Sequence, residues 1–394
     1  MTTYSEEIKL VARPGEIAFP KGLEGVVVAE STKSFADGLG GKLVYHGHPI
    51  EELAEKSTFE EVFYLLMHDR LPKGSELEET TQLLRRDREV PPQVYALVEE
   101  LAGVRGVHPM TVLRTAVSML AAFDENAEED SPAADQRHAI QIVSKIATLS
   151  AAIGRVRQHK PVLRPHPDLS HAANYYYMLV GEPPDSFTGR LMDVLFILHA
   201  DHESNASTFA TVVVKSTLTD TYSAVVAGIG ALKGSLHGGA NERVMAMLQE
   251  IGSSENVEAW LDQAMAQKKR IMGFGHRVYK TTDPRATILH SYAREATRRA
   301  GTERWLHMAE KMEKIMVEKF GQKGIYPNID FFSGVVMASM GMETAMFTPT
   351  FAVGRSAGWV AHAWEQRQDN RLFRPRFVYI GPETEPYLPL PERH

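Results

Sequence analysis

Three consecutive helical segments, at about residues 187–201, 206–218 and 221–233, are apolar on most of their faces. A helix of that kind has no side to offer water, so it lies inside a large core or at an interface. It needs other helices packed around it. A chain of 394 residues is long enough to supply them, in two domains or one large one.

Helix start and stop signals follow His48-Pro49 almost to the end. Ser57-Thr58-Phe59-Glu60 is a capping-box pattern, and Phe59, Val62, Phe63 and Leu66 form the stripe behind it. Pro72 stops that helix, Ser75 with Glu78 opens another, and Pro91-Pro92 opens a third. His108-Pro109 precedes a helix to about Phe123; residues 124–136 read as a surface loop, and helix resumes from Ile140 to about Arg157. Ser170 caps a helix that Gly181-Glu182-Pro183-Pro184 ends. Residues 239–251, 256–270, 285–300 and 303–320 are amphipathic, 331–341 is small and apolar, and 350–367 is a long apolar helix. Strand signals are confined to Val26-Val27-Val28 and Lys42-Leu43-Val44-Tyr45, with Gly38, Gly40 and Gly41 between them, which predicts a small hairpin. The proline-rich tail from Arg371 reads as extended. The expected class is mainly α with one minor N-terminal β element. The change from buried to amphipathic helices near residue 230 predicts a second domain beginning there.

Composition removes several function classes. Without cysteine there is no disulfide, thiolate catalysis, Fe–S cluster or Cys-based zinc site. A net charge of −7 gives no global basic field for nucleic acid or an anionic membrane. No apolar run approaches the roughly 20 residues of a membrane span. Met1 to Leu10 carries Glu6, Glu7 and Lys9 and lacks signal or transit character, so the default expectation is cytoplasmic.

Chemistry is concentrated where ionisable residues adjoin glycines at helix starts. In Ser235-Leu236-His237-Gly238-Gly239 a helix begins just after the glycines, and its positive end disfavours a charged His237. A neutral imidazole there is suited to polarising a carbonyl or holding an enol; alone, such a residue is more often a loop histidine with no role. In residues 273–285, His276 follows Gly273-Phe274-Gly275, and Asp283-Pro284-Arg285 opens a helix whose end suits a carboxylate ligand. In Pro327-Asn328-Ile329-Asp330, Asp330 stands at the mouth of an apolar helix. The helix end would keep it ionised while burial by Phe331 and Phe332 would oppose that. It reads either as a general base or as a simple cap. His199 and His202 lie three apart on one helix face, but no third metal ligand is evident. Arg355, inside an apolar helix, needs an anionic partner from a ligand or a neighbouring subunit; Arg374 and Arg376 flank Pro375.

Taken in order, these segments resemble the citrate synthase family from about Gly22 to the tail, and residues 273–285 match its signature throughout. The resemblance implies a multi-helical citrate synthase-like fold: a large domain, residues 1–227 with 329–394, and a smaller mobile one, 228–328, closing over a cleft. It implies the shorter, dimeric bacterial and archaeal form, without an extra N-terminal domain. By resemblance Asp330 removes a proton from acetyl-CoA, His237 stabilises the enol or enolate, and His276 polarises the oxaloacetate carbonyl. His202, Asn205, Arg285 and Arg355 match oxaloacetate-site positions, Arg374 matches the arginine lent by the other subunit, and Arg277 and Lys280 match CoA contacts. Neither metal nor cofactor is implied. The resemblance extends to 2-methylcitrate synthases, which take propionyl-CoA. A helical scaffold without catalysis and a metallohydrolase built on His199 and His202 are the alternatives from other classes.

Overall fold

The structure is a computed structural model describing residue 15 and residues 18–393; the leader reading of Met1 to Leu10 falls outside them. Sixteen α-helices and one three-stranded sheet form among the described residues. The chain divides into two compact units, one of residues 31–371 and one of the residues up to Glu30 with those from Leu372.

In the smaller unit, Val26-Val27-Val28 forms no strand, and Val27 is 88% exposed. Three branched residues have β propensity but no partner strand to pair with here. The segment from Leu372 is largely extended and exposed, as its prolines predict.

The hairpin lies in the larger unit. Its first strand is β1 (Ser34–Asp37), paired antiparallel with β2 (Lys42–Tyr45), which in turn pairs with β3 (His48–Pro49). Asp37 Oδ1 accepts the Leu39 and Gly40 N–H groups across the turn. The turn presses against the 278–282 segment: Lys280 N–H donates to Gly38 O at 2.8 Å, and a Cβ on Gly38 would lie 2.3 Å from Val278 O.

Most helices fall where the punctuation predicts. The first capping box is Thr58 with Glu61, one residue later than the sequence reading, and Ser57 instead donates its hydroxyl to Glu61. The next helix opens at Gly74, with Glu76 accepting the Lys73 N–H. A 26-residue helix, Pro132–Arg157, begins well before Ile140: Ser131 caps it and Pro132 takes the first position. The acidic composition of 124–136 concealed that start. This helix is long and apolar enough to cross a membrane by length and composition, contrary to the sequence reading, but 78% of its apolar window is buried inside the protein.

At the centre is the helix Phe347–Gln368, buried from Phe347 through Ala363. It packs against Pro132–Arg157, Ser186–Ala200 and Ala206–Lys215. Of the three apolar helices, Ser186–Ala200 is wholly buried from Leu191 onward. Ala206–Lys215 and Thr221–Leu232 pack on each other and leave Val212, Val213, Val214 and Val226 half-buried. The amphipathic helices Ala240–Ile251, Pro284–Ala300 and Glu303–Phe320 pack with the apolar helix Ile329–Ser339.

Candidate active site

The signature loop and the start of the Ile329–Ser339 helix are built as one piece. Gly275 N–H donates to Tyr326 O, Asn328 N–H to Gly273 O, and Asn328 Nδ2 to Gly275 O, each at 2.9 Å. Gly273 and Gly275 both adopt φ of +78°, and a Cβ on Gly273 would lie 2.8 Å from the Phe331 ring. Asn328, not Asp330, is the helix cap, accepting the Asp330 N–H at 3.0 Å. Asp283 joins a second pair of helix starts: its carboxylate accepts the N–H of Arg285 at 3.0 Å and of Ile329 at 3.2 Å. His276 and Asp330 are therefore placed by the same hydrogen bonds.

The ring hydrogen bonds set the tautomers. His276 Nδ1 accepts the Val278 N–H at 3.0 Å and the Tyr279 N–H at 3.2 Å, so in the neutral ring the proton sits on Nε2. Burial, helped by Arg285, brings its pKa down to about 4. His237 Nε2 accepts the Ser207 N–H at 3.3 Å and lies 2.9 Å from Ser207 Oγ, so its proton sits on Nδ1. Burial first, and Arg355 second, lower its pKa to about 3. His237 is neutral as the sequence predicts, and burial is the main reason. His202 is also held neutral by burial, with Arg285 and His276 adding to the effect. Its Nε2 is 3.2 Å from Tyr279 Oη and its ring stands edge-on to His276, centroids 5.0 Å apart.

Arg285 and Arg355 are buried and Asp330 is half-buried, and Asp330 and Arg355 are incompletely paired. Asp330 Oδ1 is buried with no hydrogen-bond partner. Burial pushes the Asp330 carboxyl up to about 7, with Arg285 opposing the rise. Arg355 is 1% exposed; its Nε donates to His199 O at 2.6 Å, and its Nη1 is buried with no partner. Burial lowers it to about 10. Arg285 already grips a carboxylate of its own: Nε and Nη2 donate to Asp283 at 3.0 and 2.8 Å. Burial opposes its charge, but Asp283 prevails and holds the guanidinium above its ordinary range.

The remaining predicted residues divide. Asn205 caps the Ala206–Lys215 helix: Oδ1 accepts from Ser207 and Thr208, while Nδ2 donates to Thr208 Oγ1 and the carbonyls of His202 and Glu203. It shapes the site and has little left to offer a ligand. Arg277 and Lys280 are exposed on the segment that carries His276. Arg374 and Arg376 are exposed in the other compact unit. His199 donates Nδ1–H to Leu195 O and packs on Phe351. Among the described residues no cluster of three or more His, Cys, Asp or Glu could hold a metal ion.

Sequence reasoning passed over Ser207, which sets the His237 tautomer, and Tyr279, which packs on both His202 and His276. It read Asp283 only as a cap. That cap's place two residues before an arginine expected to bind carboxylate was the available signal for the pairing.

Chemically, the site holds a carboxyl able to exchange a proton near neutrality, two neutral imidazole donors and a buried cation with unused hydrogen-bonding capacity. Such a set can take a proton from carbon, stabilise an enolate and polarise a carbonyl facing it. The family model for the citrate synthase C-terminal domain matches residues 22–376. The chain belongs to the citrate synthase family. It is 44% identical over 373 residues to the citrate synthase of Deinococcus radiodurans, covering 95% of this chain and 98% of that one. A citrate/2-methylcitrate synthase of Bacillus subtilis is 38% identical over 93% of this chain and 98% of its own. Among solved structures, the Thermoplasma acidophilum citrate synthase in ternary complex with carboxymethyl coenzyme A and oxaloacetate aligns with a TM-score of 0.91 and 34% identity, over 95% of this chain and all of that one. The mainly α fold expected from sequence agrees with these relatives. Membership in this family makes the chain an acyltransferase-type enzyme, not a scaffold.

Proposed function

We propose that this enzyme condenses acetyl-CoA with oxaloacetate and water, giving citrate and CoA. The observation that carries the reading is the Asp330 carboxylate, with one buried oxygen unpartnered, in the field of Arg285 and Arg355 and built into one piece with His276. Asp330 takes a proton from the acetyl methyl group. His237 donates Nδ1–H to the thioester oxygen as the enolate forms. His276 donates Nε2–H to the ketone of oxaloacetate, and the enolate carbon bonds to that carbonyl carbon. Water then attacks the thioester of citryl-CoA, and CoA leaves as the thiol.

Arg355, Arg285 and His202 bind the oxaloacetate carboxylates, with Arg374 reaching in from a second subunit. A dimer is supported by the half-buried valines of Ala206–Lys215 and Thr221–Leu232 and by exposed apolar residues such as Phe377, 92% exposed. Arg277 and Lys280 meet CoA phosphates as exposed cations. Residues 228–328 act as the domain that closes, which excludes water from the enolate. The enzyme works in the cytoplasm.

The likeness to a citrate/2-methylcitrate synthase keeps propionyl-CoA as a second acyl donor. One methylene is worth only about 1–3 kcal/mol of discrimination. Thioester loss upon adding oxaloacetate, followed with both acyl-CoAs, tests the reading. A higher kcat/KM for acetyl-CoA is expected. Preference for propionyl-CoA would make the enzyme a 2-methylcitrate synthase, and no loss with either would sink both readings.

A further inference from the structure

One buried imidazole next to the site has no part in the chemistry above. His362 lies on the Phe347–Gln368 helix, 7% exposed, seven residues after Arg355. Its Nε2 is 3.0 Å from Asp201 Oδ2 and its Nδ1 is 3.5 Å from Glu365 Oε2. Burial alone would discharge it, but Asp201 and then Glu365 lift it to about 9.

Asp201 is completely buried and immediately precedes His202. Oδ2 accepts from His362 and from the Ser34 hydroxyl, whereas Oδ1 is buried without a partner. The carboxylate rests on Gly358, where a Cβ would lie 2.7 Å from Oδ1. Gly358 is one turn after Arg355 and one turn before His362, so the Asp201 anion sits between two cations on one helix face. Its charge acts on both, yet Arg355 makes no hydrogen bond to it and keeps Nη1 unpartnered. A buried carboxylate without a counter-ion is costly, and an arginine within its field would be drawn to it.

We propose that His362 is a positioning residue that takes up the charge of Asp201, so that the neighbouring Arg355 keeps Nη1 for a carboxylate of the anionic substrate. Asp201 and Glu365 are the carboxylates in contact with the imidazolium, Glu203 is a third within its field, and Arg355 is the cation beyond Asp201. The same network anchors the segment that carries His202. Tyr45 Oη meets both Asp201 O and Asp201 N–H, and Thr32 donates N–H and Oγ–H to Glu365. Positioning therefore reaches two of the groups assigned to oxaloacetate. The inference rests on the proposed oxaloacetate-binding role of Arg355.

The test uses the full-length enzyme with saturating acyl-CoA. Activity of the parent enzyme is established first, so absence of turnover there counts against the proposed function and not against this inference. His362→Gln keeps a hydrogen-bonding group but removes the charge. It should raise the KM for oxaloacetate about ten-fold or more, the effect of weakening one charge-assisted hydrogen bond, while the KM for acyl-CoA moves less than about two-fold. Adding Asp201→Asn removes the anion that competes for Arg355, and the double variant should recover most of the oxaloacetate KM. A purely structural His362 would raise both KM values or leave the double variant worse than the single one. If His362→Gln does not fold, Asp201→Asn alone decides: an oxaloacetate KM within about three-fold of the parent supports the inference, and a ten-fold rise overturns it.

Discussion

Arg355→Met separates the cost of burying a charge from its use. The guanidinium is 1% exposed, and burial brings it to about 10 from the ordinary 12.5. That is roughly 3 kcal/mol held against the charged form before any ligand arrives. Methionine removes this penalty. It also removes the 2.6 Å bond to His199 O, about 1.5–3 kcal/mol for a charged donor, and the contact over the Phe351 ring, about 1–2 kcal/mol. These contributions nearly cancel, so the unliganded variant should unfold within about 2 kcal/mol of the parent. Ligand binding does not cancel. With Nη1 gone, the oxaloacetate KM should rise at least about 100-fold, and oxaloacetate should no longer raise the melting temperature. Thermal unfolding with and without oxaloacetate reads the first part. A thiol reagent reads the second without background, because the protein has no cysteine and only released CoA reacts. An unliganded variant destabilised by more than about 4 kcal/mol, or an unchanged oxaloacetate KM, would refute the reasoning.

Asp330→Asn should lower kcat by about 10²–10⁴ while leaving oxaloacetate binding measurable; near-parental turnover would remove Asp330 from its assigned role. Because the Asp330 carboxyl is raised to about 7, the parent's kcat/KM for acyl-CoA should fall on the acid side of a limb near pH 7, and a limb near pH 4 would contradict the burial argument. The sign for stability is opposite. A carboxyl raised from 3.8 in the folded state costs stability as pH climbs from about 4 to about 7, so Asp330→Asn should exceed the parent in stability at pH 8, with the gain vanishing toward pH 4 in thermal melts. Asp283→Ala strips Arg285 of its buried partner and leaves the Arg285 and Ile329 N–H groups unaccepted. It should cost about 3–5 kcal/mol in denaturant melts, and a loss under about 1 kcal/mol would show the pair to be dispensable. Active monomers on size exclusion at assay concentration would contradict the proposed lending of Arg374 between subunits.

Local signals set the helical class, because capping residues, prolines and 3.6-residue periodicity act within a few residues of one another. His108-Pro109, Ser170 and Asp283-Pro284 all mark true helix starts. Where they failed, the deciding partner was distant or the composition misled. The hairpin uses Ser34–Asp37 and not the β-rich Val26–Val28, and Pro132 starts a helix inside an acidic stretch. The candidate site was legible as residue types in order, through the match to a family signature. Its electrostatics were not. At Asp330 the opposing pulls of helix start and burial could be named from sequence, but their balance depends on how much protein covers the carboxyl. The His237 tautomer depends on Ser207, thirty positions away, and the charge on His362 on Asp201, 161 positions away. Sequence determined which groups could titrate, cap or bind. Only the tertiary structure decided which are charged, which nitrogen carries the proton and which guanidinium is left unpaired, because desolvation and hydrogen bonding are set by neighbours that folding brings together.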